Sequence, residues 1–330
     1  MKKTAIITGI TGQDGSYLAE YLLLKDYRVI GLHRRSSINN CERISHLLDH
    51  DAFTLQEFDL TDPSNCLHML EKNQPDELYN LAAMSHVGTS FHQPSTTFEI
   101  DTIGVINLLE AIRSQSSHTK FYQASTSEMF GKNYSIDDNG EKYQDENTPL
   151  IPQSPYAVAK LASHRMLQIY REAYGSYACS GILFNHESPR RGENFVTRKI
   201  TKYIGKLVNN KISKKNKLKL GNILSSRDWG HAKDFVKGMH MMLDNDIADD
   251  YVLCTGQSYT VKDFLELAFK IVDLDYKDYI EIDPQLYRPA EVNYLKGRCF
   301  KANKFLGWVH YTSFEELVNE MVHSDIKLSA

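Results

Sequence analysis

The chain has 330 residues, enough for one large domain or a domain with a smaller lobe. Its 42% hydrophobic content is that of an ordinary globular protein, and no apolar run approaches the roughly 20 residues of a membrane span. A formal net charge of -4 argues against a general nucleic-acid binder, and five scattered cysteines without C-x-x-C spacing argue against disulfides or a thiolate zinc site.

Met1-Lys2-Lys3 leads straight into a β-rich stretch without the apolar core of a secretory signal, so a cytoplasmic location is expected. Thr4–Thr8 and Arg28–Leu32 read as strands around a helix whose Leu18, Tyr21 and Leu22 recur at helical spacing. Leu78–Ala82 and Lys120–Ala124 read as later strands. The alternation is that of βαβ units, and predicts an α/β fold with a Rossmann-type, doubly wound parallel sheet. Asp137–Pro149, punctuated by Asn139-Gly140, reads as a surface loop, and Tyr156–Tyr174 as a long helix stopped by Gly175. From about Phe184 the alternation weakens, which suggests a smaller mixed α/β lobe. Arg227–Leu243 and Asp263–Val272 read as helices, and the basic run Lys211–Lys219 as a solvated loop. The expected division is 1–184 plus about 223–255 for nucleotide binding, and about 185–222 plus 256–330 for the substrate.

Between the first strand and first helix, T-G-I-T-G-Q-D-G places Gly9, Gly12 and Gly15 around Thr11, Gln13 and Asp14. Glycines there permit a tight turn and close backbone approach to a pyrophosphate at a helix N-terminus. The spacing G-x-x-G-x-x-G departs from the generic G-x-G-x-x-G, but the strand–turn–helix setting favours a dinucleotide over a purely structural turn. The second strand runs into His33-Arg34-Arg35-Ser36-Ser37 with no acid to accept from a ribose 2′-hydroxyl. Arginine forks suit a 2′-phosphate, so NADP is expected in preference to NAD, with an exposed basic turn as the bland alternative.

Two further segments belong together: Gln123-Ala124-Ser125-Thr126-Ser127-Glu128 and Tyr156-Ala157-Val158-Ala159-Lys160. Tyr156 and Lys160 are four apart on a helix and face the same way. A lysine ammonium beside the phenol is expected to lower its pKa and make Tyr156 a base. Glu128, two residues after Thr126, offers a second acid/base group. Taken singly, Tyr156 could be a helix-start aromatic, Lys160 a solvated partner and Glu128 a cap. The glycine loop tips the balance toward catalysis. His86 is left as a structural histidine.

The glycine loop, Asn80-Leu81-Ala82-Ala83, S-T-S-E and Y-A-V-A-K together resemble the extended short-chain dehydrogenase/reductases. The runs Phe184–Glu193, Arg227–Asp234 and Arg288–Val292 narrow the resemblance to the GDP-mannose 4,6-dehydratase family over nearly the whole chain. Relative to that pattern, Gly131–Pro149 is somewhat longer and Asp273–Arg288 shorter than in many bacterial members. The resemblance implies a redox-neutral lyase that oxidises C4 of GDP-mannose, eliminates water across C5–C6 and returns hydride to C6, giving GDP-4-dehydro-6-deoxy-mannose. Tyr156 would take the 4-hydroxyl proton, Thr126 would bond the 4-oxygen, and Lys160 would hold the nicotinamide ribose. Ser127 stands where dTDP-sugar dehydratases carry Asp, so Glu128 is expected to take the C5 proton and return it to the leaving 6-hydroxyl.

The resemblance also implies cofactor contacts at Asp59, Leu60, Leu81, Ala82, Ala83, His186 and Arg191. Substrate contacts are implied at Ser85, Ser127, Asn185, Val196, Lys199, Gly221, Arg227, Arg288 and Glu291, with the cations facing the diphosphate and Glu291 the guanosine ribose. In the family the segment after the second strand, here Arg35 to about Arg43, extends to a neighbouring subunit's cofactor site and builds a homotetramer, a dimer of dimers. No metal, nucleic acid or membrane is expected. The competing readings are a dehydratase for another GDP-sugar such as a GDP-heptose, a 4-reductase or epimerase with no need of Glu128, and a catalytically inactive NADP-binding protein.

Overall fold

The structure is a computed structural model and describes residues 2–330. Seven runs, all largely buried except the edge strand β3, pair in parallel: β1 (Thr4–Thr8), β2 (Arg28–His33), β3 (Phe53–Glu57), β4 (Glu77–Asn80), β5 (Lys120–Thr126), β6 (Ala178–Leu183) and β7 (Asp250–Leu253). Their order is β7-β6-β5-β4-β1-β2-β3, so the winding reverses between β1 and β4. A doubly wound sheet opens its ligand crevice at such a reversal, beyond the carboxyl ends of the strands.

The eight helices of ten residues or more among the described residues cover the sheet and build the second lobe: α1 (Gln13–Leu24), α2 (Pro63–Asn73), α3 (Gly104–Gln115), α4 (Pro155–Tyr174), α5 (Val196–Val208), α6 (Ala232–Asp244), α7 (Val261–Lys270) and α8 (Phe314–Leu328). Adjacent residues of a strand point to opposite faces. Ile7 accordingly packs with Leu18, Phe235, Met239 and Trp308 beneath α1 and α6, while Ile6 packs with Leu70, Leu108 and Leu167 beneath α2, α3 and α4. A third core, with Ile200, Ile204, Phe264, Leu265, Leu317 and Met321, joins α5, α7 and α8.

Local chemistry sets the helix ends. Asp62 accepts from the amides of Ser64 and Asn65 ahead of α2, and Ser154 accepts from that of Ala157 ahead of α4. Gly175, at φ 64°, closes α4 in the left-handed region.

The structure departs from the sequence expectation in five places, one of them the end of the expected loop Lys211–Lys219, where Leu218–Leu220 pairs in parallel with Ile280–Ile282. The fourth strand runs Glu77–Asn80 and not to Ala82, because the Thr8 hydroxyl accepts from the Leu81 and Ala82 amides, at 3.1 Å each, and draws both out of the sheet. The segment expected to be helical from Arg227 begins extended: Trp229–His231 pairs in parallel with Asn185–Glu187, and the helix starts only at Ala232. The helix expected at Asp263–Val272 begins at Val261, fixed by a capping box between Thr260 and Asp263. Within Asp137–Pro149, Lys142–Tyr143 pairs with Ser135–Ile136 as a small hairpin. Gln144, fully buried, ties that hairpin inward by donating to the Asn133 carbonyl and accepting from the Lys296 amide.

Asp228 holds the extended entry to α6 in place. It is fully buried and accepts from the Thr255 amide and hydroxyl (2.8 and 2.7 Å) and from the Gly256 and Gly297 amides (2.9 and 3.2 Å). Removing an acceptor from several buried amides leaves each with its full desolvation penalty. Asp228→Ala is therefore expected to lower unfolding stability by about 3 kcal/mol or more in a denaturant titration, and Asp228→Asn, which keeps one acceptor oxygen, by less.

Candidate active site

The carboxyl edge of the sheet and the second lobe enclose one cavity of about 980 Å³. Every expected site residue lines it except Arg35. Arg35 lies on the exposed stretch that follows β2.

The end beside β1 is shaped for a dinucleotide. A Cβ on Gly9 would lie 2.9 Å from the Ala82 amide nitrogen, and one on Gly15 2.5 Å from the Gly9 carbonyl oxygen. Only glycine fits a turn folded this tightly. The cap of α1, Gly12, brings no side-chain acceptor, so the first-turn amides are left for a ligand anion. Arg34 enters the wall from the end of β2, with Asp59 and Leu60 after β3, and Leu81, Ala82 and Ala83 after β4. Thr11 lies on the glycine turn, and its carbonyl accepts from Arg43. Arg43, at the far end of the segment expected to reach a neighbour, lines this chain's own wall, donating to the Arg190 and Thr11 carbonyls at 2.8 and 3.2 Å. Nothing in its sequence surroundings distinguishes it from an exposed arginine.

Gln13 and Asp14 have a second task. The Gln13 amide donates to the His186 carbonyl at 3.0 Å and accepts from the Ser188 hydroxyl at 2.8 Å. The His186 ring places Nε2 2.7 Å from Asp14 Oδ2 and Nδ1 2.8 Å from the Phe184 carbonyl, while stacking on Phe235. With an oxygen acceptor at each ring nitrogen, the arrangement suits an imidazolium. Burial opposes both charges, yet the pairing prevails, raising the His186 pKa and lowering that of Asp14. The glycine loop is thereby clasped to the segment that leaves β6.

At the other end, β5 delivers Thr126 and a single turn, Ser127–Phe130. The Thr126 hydroxyl accepts from the Glu128 amide at 3.2 Å, fixing the start of that turn. Gly131, at φ 61°, ends it where any side chain would collide with the Ile151 carbonyl. Glu128 is largely buried, with Arg288 Nη1 3.7 Å from its carboxylate. Tyr156 and Lys160 come from the first turns of α4.

One electrostatic expectation fails. Lys160 does not depress the Tyr156 phenol: its ammonium donates to the Ala124 carbonyl at 3.0 Å and lies 5.9 Å from the ring centroid. Burial instead pushes the phenol well above its ordinary range, with the charges of Asp101 and Glu128 adding and Thr126 and Arg191 opposing. Burial likewise lowers the Lys160 pKa.

The outer wall carries the cations. Arg227 is buried, with Nη2 3.7 Å from Glu291 Oε1. Lys199, Asn185, Val196, Gly221 and Ser85 line the same stretch. Arg191 packs its guanidinium over the Phe195 ring, with Nε 3.1 Å from Glu187, which also accepts from the Thr197 hydroxyl. Glu187, Asn222 and Trp229 line the cavity without having been expected to. Glu187 at least sits inside the N-H-E-S-P run that drew attention to its neighbours. Among the described residues there is no metal-holding cluster and no helix long and apolar enough to cross a membrane. All five cysteines are free.

A family model described as GDP-mannose 4,6 dehydratase matches residues 6–321. GDP-mannose 4,6 dehydratase 1 of Arabidopsis thaliana is 49% identical over 99% of this chain and 91% of its own length. GDP-mannose 4,6-dehydratase of Vibrio cholerae is 45% identical over 100% and 95%. Among solved structures, dTDP-glucose 4,6-dehydratase from Bacillus anthracis in complex with NAD superposes with a TM-score of 0.84 at 21% identity, covering 98% of this chain and 97% of that one. RMD from Pseudomonas aeruginosa complexed with NADPH superposes at 0.79 and 22% identity, covering 99% and 100%. The two superpositions establish the shared fold, and the sequence matches go further: the chain belongs to the GDP-mannose 4,6-dehydratase family.

Proposed function

We propose that this chain is a cytoplasmic, NADP-dependent GDP-mannose 4,6-dehydratase, a lyase that turns GDP-mannose into GDP-4-dehydro-6-deoxy-mannose and water. The observation that carries the reading is the convergence of Thr126, Glu128, Tyr156 and Lys160 on one wall of a cavity whose other end is a glycine-turn cradle. A 4-reductase or epimerase on this fold would have no use for Glu128.

Gly9, Gly12 and Gly15 with the α1 amides would hold the pyrophosphate, and Arg34 supports a 2′-phosphate because β2 ends without an acid. When bound, the nicotinamide would supply the two-electron chemistry, a hydride acceptor for C4 and a hydride donor for C6. Tyr156 Oη takes the 4-hydroxyl proton while Thr126 bonds the 4-oxygen. The 4-ketone acidifies C5–H, and Glu128 takes that proton and passes it to the departing 6-hydroxyl, since Ser127 carries no carboxyl. The proton lost from the 4-hydroxyl balances the one that C5 regains, so the net change is loss of one water. Lys199, Arg227 and Arg288 meet the diphosphate, and Glu291 the guanosine ribose.

Incubation of the pure protein with GDP-mannose and no added reductant is expected to give a product lighter by one water; an unchanged mass, with loss of water from another GDP-sugar, would overturn the choice of substrate. Glu128→Gln is expected to slow water loss by about 10²–10⁴-fold while leaving measurable cofactor reduction; equal loss of both would remove the assigned base role. Because burial raises the phenol, tyrosinate absorbance attributable to Tyr156, taken as wild type minus Tyr156→Phe, is expected only at strongly alkaline pH in the ligand-free protein. It is expected to move toward neutrality when oxidised cofactor adds positive charge nearby. The segment from Arg35 to about Arg43, exposed over residues 35–40, is proposed to reach a neighbouring subunit's cofactor site in a tetramer. Arg35→Ala should then lose both assembly and cofactor on size exclusion, and a tetramer retaining full cofactor counts against it.

A further inference from the structure

Two of the five cysteines meet in the fold. Cys254 follows β7 directly and is fully buried, while Cys299 precedes the short helix Phe300–Leu306 and is half-buried. They lie 45 positions apart, so no spacing in the sequence announces them. The Cys299 thiol donates to the Cys254 carbonyl at 3.5 Å, and the Cys254 thiol in turn donates to the Cys299 sulfur.

The backbone around them keeps the pair together. Asp228 accepts from the Thr255, Gly256 and Gly297 amides, each within two residues of one of the cysteines. Gln144 holds the second segment from its other side, accepting from the Lys296 and Arg298 amides. Position 297 has room only for glycine, since a Cβ there would lie 2.5 Å from Cys254 Sγ. Both cysteines belong to one apolar cluster with Met129 and Phe130, from the turn that carries Glu128.

Access divides the two thiols. A second cavity, about 570 Å³ and open to solvent, reaches Cys299 between Tyr143, Lys296, Arg298 and Phe300, and Cys254 is not part of its wall. The bond from Cys254 holds the Cys299 pKa below the ordinary thiol value against the effect of burial. Burial above all keeps Cys254 protonated. An accessible sulfur with thiolate character, backed by a second thiol, is the arrangement that peroxides oxidise reversibly.

We propose that Cys254 and Cys299 form an oxidisable dithiol, open in the resting protein and closed to a disulfide by a peroxide. The Cys299 thiolate attacks one peroxide oxygen and the O–O bond breaks. The other oxygen leaves as water with the proton the thiol gave up, and Cys299 becomes a sulfenic acid. The Cys254 sulfur then attacks the Cys299 sulfur, the S–O bond breaks, and the hydroxide departs with the Cys254 proton as a second water. The two sulfurs lose two electrons in all and the peroxide gains them. The new bond staples the end of β7 to the segment that completes the Asp228 bracket. This site is independent of the reading of the active site.

The test is to titrate the reduced, full-length protein with hydrogen peroxide, alkylate the remaining thiols in denaturant and map the digest by mass spectrometry. Loss of two of the five thiols is expected, with a cross-linked peptide joining Cys254 to Cys299 that dithiothreitol separates. Cys299 driven to sulfinic acid beside an alkylated Cys254, or Cys41 oxidised ahead of the pair, would overturn the proposal. In Cys254→Ser no second thiol is present, so Cys299 sulfenic acid is expected to accumulate and label with dimedone several-fold more than in the wild type. Equal labelling of the two proteins would also overturn it.

Discussion

Strands that run parallel all finish at the same edge of their sheet, and the residues that follow them are delivered to one place. In this chain that edge gathers the glycine turn after β1, Arg34 after β2, Asp59 after β3, Leu81–Ala83 after β4, the Thr126–Glu128 turn at the end of β5 and His186 after β6. Segments some 170 residues apart in sequence therefore become wall neighbours, as Gln13 and Ser188 do through a hydrogen bond spanning 175 positions. The reversal of winding between β4 and β1 leaves no helix over the crevice between them, and the second lobe closes it from above.

Burial is the second organising force, and it acts on the charges inside. The cavity wall holds Arg34, Arg43, Lys160, Arg191, Lys199, Lys219, Arg227 and Arg288 against Asp14, Asp59, Glu99, Glu128, Glu187 and Glu291, a modest cationic surplus suited to phosphates. Three of the cavity's cations are paired: Arg227 with Glu291, Arg191 with Glu187, and His186 with Asp14, whereas the buried Lys160 ammonium has only the Ala124 carbonyl. The phenol of Tyr156 has no such cation in direct contact, and its proton is held tightly in the ligand-free protein. Burial thus favours the protonated phenol.

The sheet's frame and the gathering of the expected site residues around one cavity were legible in the sequence because both rest on local signals. β1 matched residue for residue, and α4 began one residue earlier than expected with its end at Gly175 intact. Catalytic and glycine-loop positions fell together because their motifs are short and bound to strand ends. What escaped depends on contacts far along the chain. Leu81 and Ala82 leave their strand for a hydroxyl on β1. Trp229–His231 is extended and lies beside Asn185–Glu187, a pairing across more than 40 positions that no local pattern announces. Arg43 and the destination of the Lys160 ammonium were likewise set by carbonyls that no local pattern points to.

The outermost strand β7 comes from Asp250–Leu253, after the chain has left β6 at Leu183 and laid down α5 and α6. During synthesis, β6 has every residue destined for burial but its outer hydrogen-bonding edge stays bare for the whole of that excursion. An uncovered apolar edge is a template for pairing with another chain, and long-range parallel pairing is slow to form. The nascent protein consequently passes through a sticky interval that ends only when α6 packs down and brings β7 alongside. Slow elongation or holdase assistance across this interval would raise the yield of folded protein with no effect on the finished enzyme's stability.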